Sequence, residues 1–416
     1  MNRKNTKVTM IGLGYIGLPT AAVMADSGYE VIGYDVNPLI VQTINKGEIH
    51  IVEPGLQELV AKVVSSGTLK ASTVLEESDI FVIAVPTPFK ESYVPDLRFI
   101  EEVAKALAPV LKQGDLVILE STSPVGTTEK LSAWLAKDNQ QLVFPSDNEY
   151  ESDVNIAYCP ERVLPGKMLE ELVNNDRIIG GMTLQCSQRA IEFYSQFVNG
   201  ECIASNSRTA EMCKLTENSF RDVNIAFANE LSLICDELDI SVWDVIKLAN
   251  HHPRVNILQP GPGVGGHCIA VDPWFIVNSA PEQTKLIKTA REVNDKKPRY
   301  VMGRVKNAAE QFDNPKIVCL GLSYKGNVDD LRESPALEIA ESLAEQKIGQ
   351  ILVVEPNISE LPEALRILGN VLLMDLELAI DQGDVLVGLV AHTEFRNKLN
   401  QIDDEKIVLD FTGALG

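Results

Sequence analysis

Residues 7–35 read KVTMIGLGYIGLPTAAVMADSGYEVIGYD, and this stretch decides the fold of the first part of the chain. It begins and ends with a short apolar run typical of a strand, and a helical pattern lies between the two runs. Gly12, Gly14 and Gly17 follow the first run with the spacing GxGxxG. In such a setting the first glycine permits a tight turn, the second lets a pyrophosphate approach the backbone, and the third lets the helix pack on the strand. The stretch therefore predicts a dinucleotide-binding βαβ unit, with phosphate at the helix N-terminus.

Asp35 ends the second run, where a carboxylate accepts hydrogen bonds from the ribose diol of an adenosine. A 2′-phosphate would meet this negative charge, and neither Val36 nor Asn37 supplies a compensating cation. The pattern therefore favours NAD over NADP as the cofactor. Tyr15 and Ile16, inside the glycine turn, are expected to contact the same cofactor. The alternative, a purely structural tight turn, is disfavoured by the combination of the glycines with Asp35.

The alternation of strands and helices continues along the chain. Strands that alternate with helices are typical of a mostly parallel, doubly wound sheet, and the pattern predicts this architecture both before and after the middle of the chain. The further strand-like runs lie at residues 79–85, 115–120, 155–158, 316–321, 350–356, 384–391 and 406–411.

Between these two regions, residues 207–238 contain neither Gly nor Pro. Their apolar residues recur at helical spacing and predict one long helix; they lie at positions 212, 215, 223, 227, 231, 234 and 238. We therefore expect an α/β fold with two Rossmann-like doubly wound lobes joined by a central long-helix segment. The expected domains are 1–200, 201–312 and 313–416. The segment GLSYKG at the start of the last lobe lacks GxGxxG, so that lobe is expected to hold the nucleotide of a substrate and no second dinucleotide.

The 416-residue chain carries a formal net charge of −22, which disfavours nucleic acid and anionic membranes as partners. No apolar run approaches the ~20 residues that span a bilayer, and no signal-peptide pattern is visible, so a cytoplasmic location is expected. The seven cysteines are irregularly spaced and are expected to be reduced thiols, most of them buried.

Cys268 lies in the segment GVGGHCIAVDP. The glycines would let the backbone approach a ligand, and Asp272-Pro273 is typical of a helix N-cap followed by a first-turn proline. A thiol near a helix start and near cations has a lowered pKa and is a better nucleophile. From the local pattern, Cys268 is either such a nucleophile or a buried filler. A metal site with His251, His252 and His267 is the weaker alternative, because no pair has the spacing of a zinc motif.

Other candidates stand at the ends of predicted strands or on the long helix. Thr87, Thr122 and Thr128 would contact a cofactor or order water, or else cap turns and helices. Lys214, Asn218 and Arg221 share one face of the helix. There they would stabilise an oxyanion and a phosphate, or they form a solvated face balanced by Glu211 and Glu217. Charged loops at Glu161-Arg162 and at Tyr324, Lys325 and Arg332 have the same two interpretations.

Taken together, these motifs resemble one family, the UDP-glucose/GDP-mannose 6-dehydrogenases. In chain order they are GLGYIGLP, VPTP, STSPVG, PER, KLTENSF, GGHC with its following Asp, and YKG with LRESP, and the resemblance runs from about residue 7 to about 395. The segments AYCPERVLPGK and HPRVNILQPGPGVGGHC are most similar to those of the family members that oxidise UDP-N-acetyl-D-mannosamine. The resemblance implies a homodimer in the cytoplasm that oxidises the C6 alcohol of a UDP-sugar to the carboxylate with two NAD, for bacterial surface polysaccharides such as enterobacterial common antigen.

The resemblance also implies roles for individual residues. Cys268 matches the nucleophile of the family, and Asp272 matches the residue that supports the base network beside it. Lys214 and Asn218 match the pair that stabilises oxyanionic intermediates, and they also contact the substrate. The remaining matches are Thr122 and Glu161 for water; Arg332 for the cofactor; and Arg162, Val163, Arg221, Gly265, Tyr324 and Lys325 for the substrate. His252 and Arg254 match a loop that reaches the sugar nucleotide of the neighbouring subunit.

The chain departs from the family pattern at three positions. Pro165 stands where UDP-glucose enzymes have a second glutamate, Val271 where they have a lysine, and Thr412 where relatives often have a cation. Three alternatives remain: the same reaction on UDP-N-acetylglucosamine, a two-electron hydroxyacid dehydrogenase with an inert Cys268, and a non-catalytic NAD-binding sensor.

Overall fold

A computed structural model of the protein describes residues 6–90, 93–145, 152–266, 268–396, 402–403 and 405–415. The chain divides into two compact units, Met1–Thr216 and Glu217–Gly416. Among the described residues, none of the helices combines the length and the apolar character that crossing a membrane requires.

The first unit contains an eight-stranded sheet with the order β3-β2-β1-β4-β5-β6-β7-β8, in which only β6 and β7 pair antiparallel. Its central strands are buried over their whole length, as expected where helices cover both faces of a parallel sheet. The strands are β1 (Lys7–Ile11), β2 (Glu30–Tyr34), β3 (Leu69–Ser72), β4 (Ile80–Ile83), β5 (Leu116–Leu119), β6 (Asn155–Tyr158), β7 (Arg177–Gly181) and β8 (Cys202–Asn206). The helices are α1 (Gly17–Asp26), α2 (Pro38–Asn45), α3 (Leu56–Ser65), α4 (Arg98–Leu107), α5 (Thr127–Asp138), α6 (Met168–Asn174) and α7 (Leu184–Tyr194).

The long helix that the sequence predicts is α8, Ser207–Glu237. Its apolar positions do not all face a core: Leu215 is buried, whereas Phe227 is 54% exposed and Ile234 is 50% exposed. The prediction of a helix was correct, but helical spacing alone did not tell which apolar positions are covered.

The second unit contains a five-stranded parallel sheet with the order β11-β10-β9-β12-β13. The strands are β9 (Lys316–Leu320), β10 (Gln350–Val354), β11 (Val371–Leu373), β12 (Val385–Gly388) and β13 (Ile407–Asp410). The helices that follow α8 are α9 (Val242–Ala249), α10 (Asp272–Ser279), α11 (Lys285–Ala309), α12 (Pro335–Glu345), α13 (Glu363–Arg366) and α14 (Leu376–Gln382). The predicted fold class, two parallel α/β lobes with a long central helix, is confirmed.

Candidate active site

The glycine turn after β1 has the conformation that its spacing predicts. Gly12 has a φ of +92°, and a Cβ there would lie 2.6 Å from the carbonyl oxygen of Ala84. A Cβ on Gly17 would lie 1.8 Å from the carbonyl oxygen of Gly12. Gly14, in contrast, is exposed, and among the described residues no atom lies within 4 Å of where its Cβ would be. Two glycines therefore serve the turn itself, and Gly14 leaves space for a pyrophosphate at the N-terminus of α1.

Asp35 follows β2 and is fixed against this turn. Its Oδ2 accepts a hydrogen bond from the backbone N–H of Leu13 at 2.9 Å, and its Oδ1 accepts one from Asn37 at 2.8 Å. His50 lies nearby, and its burial lowers the pKa of the imidazole, an effect that the charge of Asp35 offsets only in part. The ring is therefore mainly uncharged at neutral pH and supplies no cation for a 2′-phosphate. These residues fit the adenosine ribose of NAD better than that of NADP.

Hydrogen bonds join the ends of β4 and β5. The hydroxyl of Thr87 donates to the carbonyl of Thr122 at 2.5 Å, and the hydroxyl of Ser121 donates to the carbonyl of Val85 at 2.7 Å. The two segments that carry the threonine candidates therefore lie side by side at the carboxyl edge of the sheet, where ligands of doubly wound folds bind.

Thr128 is fully buried, and Glu211 occupies its polar groups. The Oε1 of Glu211 accepts hydrogen bonds from the backbone N–H and the hydroxyl of Thr128, at 2.8 and 2.6 Å. Its Oε2 accepts one from the backbone N–H of Gly126 at 2.6 Å. The sequence alternative that placed Glu211 on a solvated face is wrong, because its carboxylate is needed at the otherwise unpaired N-terminus of α5. Burial raises the pKa of Glu211 despite these bonds.

The PER segment follows β6, and the carboxylate of Glu161 is buried, with one oxygen in a hydrogen bond and the other in an ion pair. Its Oε1 accepts a hydrogen bond from the backbone N–H of Arg162 at 2.7 Å, and its Oε2 lies 3.0 Å from Nη2 of Arg177. Arg162 in turn donates to the carbonyl of Asp176 at 3.1 Å. Val163, the next residue, packs against the core of the first lobe.

Lys214 is bound to the same segment by a main-chain contact. Its Nζ donates to the carbonyl oxygen of Glu161 at 2.7 Å. The structure thus brings together two residues that the sequence analysis assigned to the site separately. Arg221, seven residues farther along α8, is exposed.

Glu161 belongs to a buried ionisable cluster that includes Glu120, Arg177 and Tyr194. Burial, and then the charge of Glu161, raise the pKa of Glu120 to about 7, although Arg177 and a hydrogen bond from Tyr194 act in the opposite direction. One carboxyl of the cluster therefore titrates near neutral pH, next to the segment that holds Lys214.

In the second unit, Cys268 is exposed in the turn that precedes α10. Its carbonyl oxygen accepts hydrogen bonds from the backbone N–H groups of Val271, at 3.1 Å, and Asp272, at 2.9 Å. The buried-filler alternative for this thiol is wrong. Asp272 is the first residue of α10, and Val271 takes the N-cap position that the sequence pattern had assigned to Asp272.

The carboxylate of Asp272 is buried and accepts a hydrogen bond from the side-chain amide of Asn218 at 2.5 Å. This bond orients the carboxylate toward α8, which explains why Asp272 does not cap its own helix. Two of the candidate catalytic residues are therefore in direct contact.

The glycines before Cys268 pack against protein, whereas the sequence analysis had reserved them for a ligand. A Cβ on Gly265 would lie 2.3 Å from the carbonyl oxygen of Glu333, and one on Gly266, which has a φ of +83°, would lie 3.0 Å from the ring of Tyr324. The side chain of Tyr324 and the backbone of Glu333 therefore account for the absence of a Cβ at these two positions, and the approach of a ligand to this loop stays a prediction.

Asn229 fixes the beginning of the same loop. Its side-chain oxygen accepts a hydrogen bond from the backbone N–H of Gly261 at 2.9 Å, and its amide donates to Asn294 at 2.8 Å. Asn294 donates to the buried carboxylate of Asp222, which also pairs with Arg291 at 2.6 Å. Burial raises the pKa of Asp222, and Arg291 partly offsets this effect.

The remaining candidates lie in exposed loops of the second unit. His252 and Arg254 are exposed, and Nδ1 of His252 accepts a hydrogen bond from the backbone N–H of Arg254 at 3.3 Å. Lys325 is exposed, and the guanidinium of Arg332 makes two hydrogen bonds with Asp330, at 2.8 and 2.7 Å. His267 lies outside the described residues.

Comparison with known proteins assigns the chain to a family along its length. Three consecutive family models match it: the NAD binding domain of the UDP-glucose/GDP-mannose dehydrogenase family over residues 6–198, the central domain over 208–296 and the UDP binding domain over 318–416. The chain belongs to this family. It is a dehydrogenase with NAD as its cofactor, and its UDP binding domain indicates a UDP-sugar substrate.

Individual members of the family are similar over almost the whole chain. A UDP-N-acetyl-D-mannosamine dehydrogenase of Campylobacter jejuni is 60% identical over 98% of this chain and 99% of its own, and one of Escherichia coli K12 is 59% identical over 98% of each. An NDP-N-acetyl-D-galactosaminuronic acid dehydrogenase of Ralstonia nicotianae is also 59% identical, over 98% of this chain and 95% of its own. A solved UDP-D-ManNAc dehydrogenase of Pyrococcus horikoshii is 37% identical, with a TM-score of 0.87 over 99% of this chain and 96% of its own.

In each unit of this family member, the sequence did not predict some of the residues that hold candidate site segments in place. Glu120, Arg177, Tyr194 and Asn229 are buried polar residues with side-chain partners far away in sequence. One signal was available: Glu120 directly follows an apolar strand-like run, at the edge where ligands of this fold bind.

Proposed function

We propose that this family member oxidises UDP-N-acetyl-D-mannosamine at C6 to UDP-N-acetyl-D-mannosaminuronate, consuming two NAD for each sugar. The observation that carries the choice of sugar is the identity of about 60%, over nearly the full length, with dehydrogenases named for this substrate. The choice of chemistry rests on the exposed thiol of Cys268 in the turn before α10, in a loop held by close glycine packing. Synthesis of surface polysaccharide and the cytoplasmic location remain predictions of the sequence.

When bound, NAD supplies a hydride acceptor, and a four-electron oxidation requires two such acceptors in turn. The C6 alcohol first loses a hydride to the acceptor and a proton to water, which gives an aldehyde. Cys268 is proposed to add to this aldehyde as a thiolate, which forms a carbon–sulfur bond and a hemithioacetal alkoxide. Loss of the second hydride converts this adduct into a thioester. Water then cleaves the carbon–sulfur bond, which releases the carboxylate and returns the thiol. A thioester suits the last step because it is hydrolysed more readily than an oxygen ester.

Lys214 and Asn218 are proposed to stabilise the alkoxide, one by charge and the other by an amide hydrogen bond. The contact between Asn218 and Asp272 supports this role, because it fixes the amide at the helix that follows Cys268. Thr122, Asp272 and Glu161 are proposed to handle water. Arg162, Val163, Arg221, Gly265, Tyr324 and Lys325 are proposed to bind the substrate.

On the cofactor side, the open space at Gly14 and the fixed carboxylate of Asp35 support NAD binding at the first glycine turn. Gly12, Gly17, Tyr15 and Ile16 complete this proposed site, together with Thr87 and Arg332. Thr128 is not part of it, because its N–H and hydroxyl are bound to Glu211 inside the protein.

The test is a panel of UDP-sugars with NAD that measures the NADH formed for each sugar consumed. We expect UDP-N-acetylmannosamine to have the highest kcat/KM and to give two NADH. One NADH per sugar would contradict the four-electron reaction, and no NADH with any sugar would indicate the non-catalytic sensor.

A second candidate substrate has support of its own. The Ralstonia relative, which is equally similar, is named for an N-acetylgalactosaminuronic acid. The panel therefore includes UDP-N-acetylgalactosamine beside UDP-N-acetylglucosamine and UDP-glucose. Faster turnover of any of these three would replace the proposed sugar and leave the reaction class intact.

Replacing the proposed nucleophile tests the covalent route. Cys268→Ala is expected to keep NAD binding and to lose net oxidation by several orders of magnitude in kcat, roughly 5 kcal/mol or more. Cys268→Ser is expected to stall with an added UDP-sugar mass on the protein, which mass spectrometry detects. Two NADH per sugar from Cys268→Ala at the wild-type rate would refute this mechanism.

We also propose a homodimer, in which His252 and Arg254 reach the substrate of the neighbouring subunit. The support is an exposed apolar stripe on α8, where Phe220, Phe227 and Ile234 recur every seven residues and are 68%, 54% and 50% exposed. Light scattering is expected to give about twice the chain mass of 45.7 kDa. Phe227→Glu is expected to yield monomers.

Leu184→Glu is the matched control for the dimer, because Leu184 is 83% exposed and belongs to α7, not to the stripe on α8. It is expected to leave the mass unchanged. A fully active wild-type monomer at assay concentration would contradict both the dimer and the shared loop.

A further inference from the structure

Four residues from different parts of the first lobe meet in one buried cluster behind the PER segment. Glu120 follows β5, Glu161 follows β6, Arg177 begins β7 and Tyr194 ends α7. The hydroxyl of Tyr194 donates to Oε1 of Glu120 at 2.6 Å, and the guanidinium of Arg177 lies 4.8 Å from the centre of the tyrosine ring. All four side chains are at least nine-tenths buried.

Arg177 is shared between two carboxylates. Its Nη2 lies 3.0 Å from Oε2 of Glu161, and its Nη1 lies 3.7 Å from Oε1 of Glu120. Among the described residues, Oε2 of Glu120 has no hydrogen-bond partner. One buried cation cannot compensate two buried anions, so the cluster favours a neutral Glu120 and an Arg177 that serves Glu161.

The cluster is connected to the candidate catalytic lysine through the backbone. With its carboxylate held by Arg177 and by the N–H of Arg162, Glu161 presents its carbonyl oxygen to Nζ of Lys214 at 2.7 Å. A shift of Arg177 would therefore move the peptide that orients the ammonium group.

We propose that Glu120, Arg177 and Tyr194 are positioning residues, which place Lys214 by fixing the peptide of Glu161. The proposal rests on the proposed function, since it gives this lysine a role in the reaction. It adds to the proposed function three residues that act through Glu161 and not by contact with substrate or cofactor.

The charge balance makes this positioning dependent on pH. The charged and titratable groups that face Glu120 are Arg177, Glu161, Tyr194 and the buried thiol of Cys159. As the pH rises through neutrality, Glu120 ionises and its carboxylate competes with that of Glu161 for the guanidinium of Arg177. The ion pair between Arg177 and Glu161 therefore becomes weaker. Above neutral pH, Lys214 is therefore less well placed in the wild type than in a variant whose residue 120 stays neutral.

The first test compares Glu120→Gln with the wild type between pH 5.5 and 9, by the single-turnover rate of NADH formation. Glutamine keeps the acceptor for Tyr194 and cannot ionise. We expect the ratio of the variant rate to the wild-type rate to rise roughly threefold to tenfold across neutral pH, since one pKa unit corresponds to a factor of ten. A ratio that does not change with pH would overturn the proposal.

Asp115 offers a matched control at the other end of the same strand. It precedes β5, is buried, and its pKa is raised to about 6, primarily by burial, while Lys112 opposes the shift. Asp115→Asn is expected to change the pH dependence of thermal stability and to leave the pH profile of the reaction unchanged. A merely structural effect of neutralising a buried carboxyl would alter both profiles in both variants.

The second test does not depend on turnover. Lys214 is labelled with acetic anhydride at a fixed pH, and its labelling rate is measured by mass spectrometry in the full-length protein. Arg177→Lys is expected to raise the rate at Lys214 severalfold and to leave the rates at Lys62 and Lys105, which are exposed on other helices, unchanged. An unchanged rate at Lys214 would overturn the proposal.

The two tests separate this inference from the proposed function. If the wild type forms two NADH per sugar but neither the pH ratio nor the labelling changes, the function stands and the positioning role fails. If the wild type forms no NADH but Arg177→Lys raises the labelling of Lys214, the positioning stands and the function fails.

Discussion

The two sheets of the molecule begin with nearly the same strand and turn, but only the first turn is open. Gly12 directly follows β1 and has a φ of +92°, and Gly321 directly follows β9 and has a φ of +97°. The backbone N–H of Gly12 donates to the carbonyl of Tyr34 at 2.9 Å, and that of Gly321 donates to the carbonyl of Val354 at 2.8 Å. Both turns therefore start with the same geometry beside the neighbouring strand.

The second residue after each glycine separates the two turns. Gly14 is exposed, with open space where a side chain would stand. Its counterpart Ser323 is buried, and its hydroxyl donates to the carbonyl of Lys325 at 2.8 Å. The first turn leads into α1 at Gly17, whereas after the second turn α12 begins only at Pro335. A phosphate can approach a helix N-terminus directly only in the first case.

The carboxylates that follow the second strand of each sheet differ in the same way. Asp35 and Glu355 both accept a hydrogen bond from the residue after the glycine, Leu13 at 2.9 Å and Leu322 at 2.8 Å. Asp35 is partly exposed, whereas Glu355 is buried and lies 3.1 Å from Nε2 of His392. A shared turn therefore does not make a shared site, because buried Ser323 and His392 close the second turn where the first turn is open at Gly14.

The largest effect, on the free energy of unfolding, is expected from removing the charge of Glu355 at the closed second turn. Burial alone would raise the pKa of Glu355, but hydrogen bonds from His392 and from the backbone of Leu322 and Ser323 lower it to about 2. Its contribution to stability is therefore present above the ordinary pKa of about 4.5 and is lost as the pH falls toward 2. Glu355→Gln is expected to cost roughly 3 kcal/mol of unfolding free energy at pH 7.

Denaturant unfolding as a function of pH checks this expectation, and the difference between variant and wild type should shrink below pH 4.5. The KM for NAD should not change. A variant as stable as the wild type at pH 7 would show that the carboxylate of Glu355 is not needed to close the turn.

The next largest effect, on NAD binding, is expected from exchanging Gly14 and Ser323, the residues that distinguish the two turns. Gly14→Ser is expected to weaken NAD binding about thirtyfold, roughly 2 kcal/mol, because the new side chain occupies the space for the pyrophosphate. Thermal stability should hardly change, since no described atom lies near that position. The reciprocal Ser323→Gly should lose about 1 kcal/mol of stability, with its hydrogen bond, and leave NAD binding unaltered. Isothermal titration calorimetry with NAD measures the affinity of both variants for the cofactor. An unchanged affinity in Gly14→Ser would contradict the assignment of the first turn as the NAD site.

The smallest effect concerns the choice between the two cofactors. Wild-type enzyme is expected to favour NAD strongly, and Asp35→Ala should narrow the ratio of kcat/KM for NAD over NADP by about tenfold, or 1.4 kcal/mol. Asp35→Asn is the control that keeps an acceptor for the N–H of Leu13 while removing the charge. Equal kcat/KM values for both cofactors in the wild type would refute the role given to Asp35.

Local patterns were sufficient for much of the fold. The buried parallel strands are continuous apolar runs, and α8 is one uninterrupted helical pattern, so each was visible in a single window of sequence. Strands β3, β7, β8 and β11 were missed, because they are short or lie toward the sheet edges, where fewer of their residues are apolar. Helix α11 was missed as well, since Pro298 stands inside a charged segment that resembles a helix end.

The sequence by itself determined the first glycine turn, the carboxylate at Asp35 and the candidate thiol at Cys268, because each depends on residues close together in the chain. Only the tertiary structure decided which polar side chains hold these features in place. Arg177 meets Glu120 from a strand 57 positions away, and Asn229 meets Gly261 from another helix. Such pairs form because a buried polar group must find a partner wherever packing brings one, and no local pattern records which partner that is.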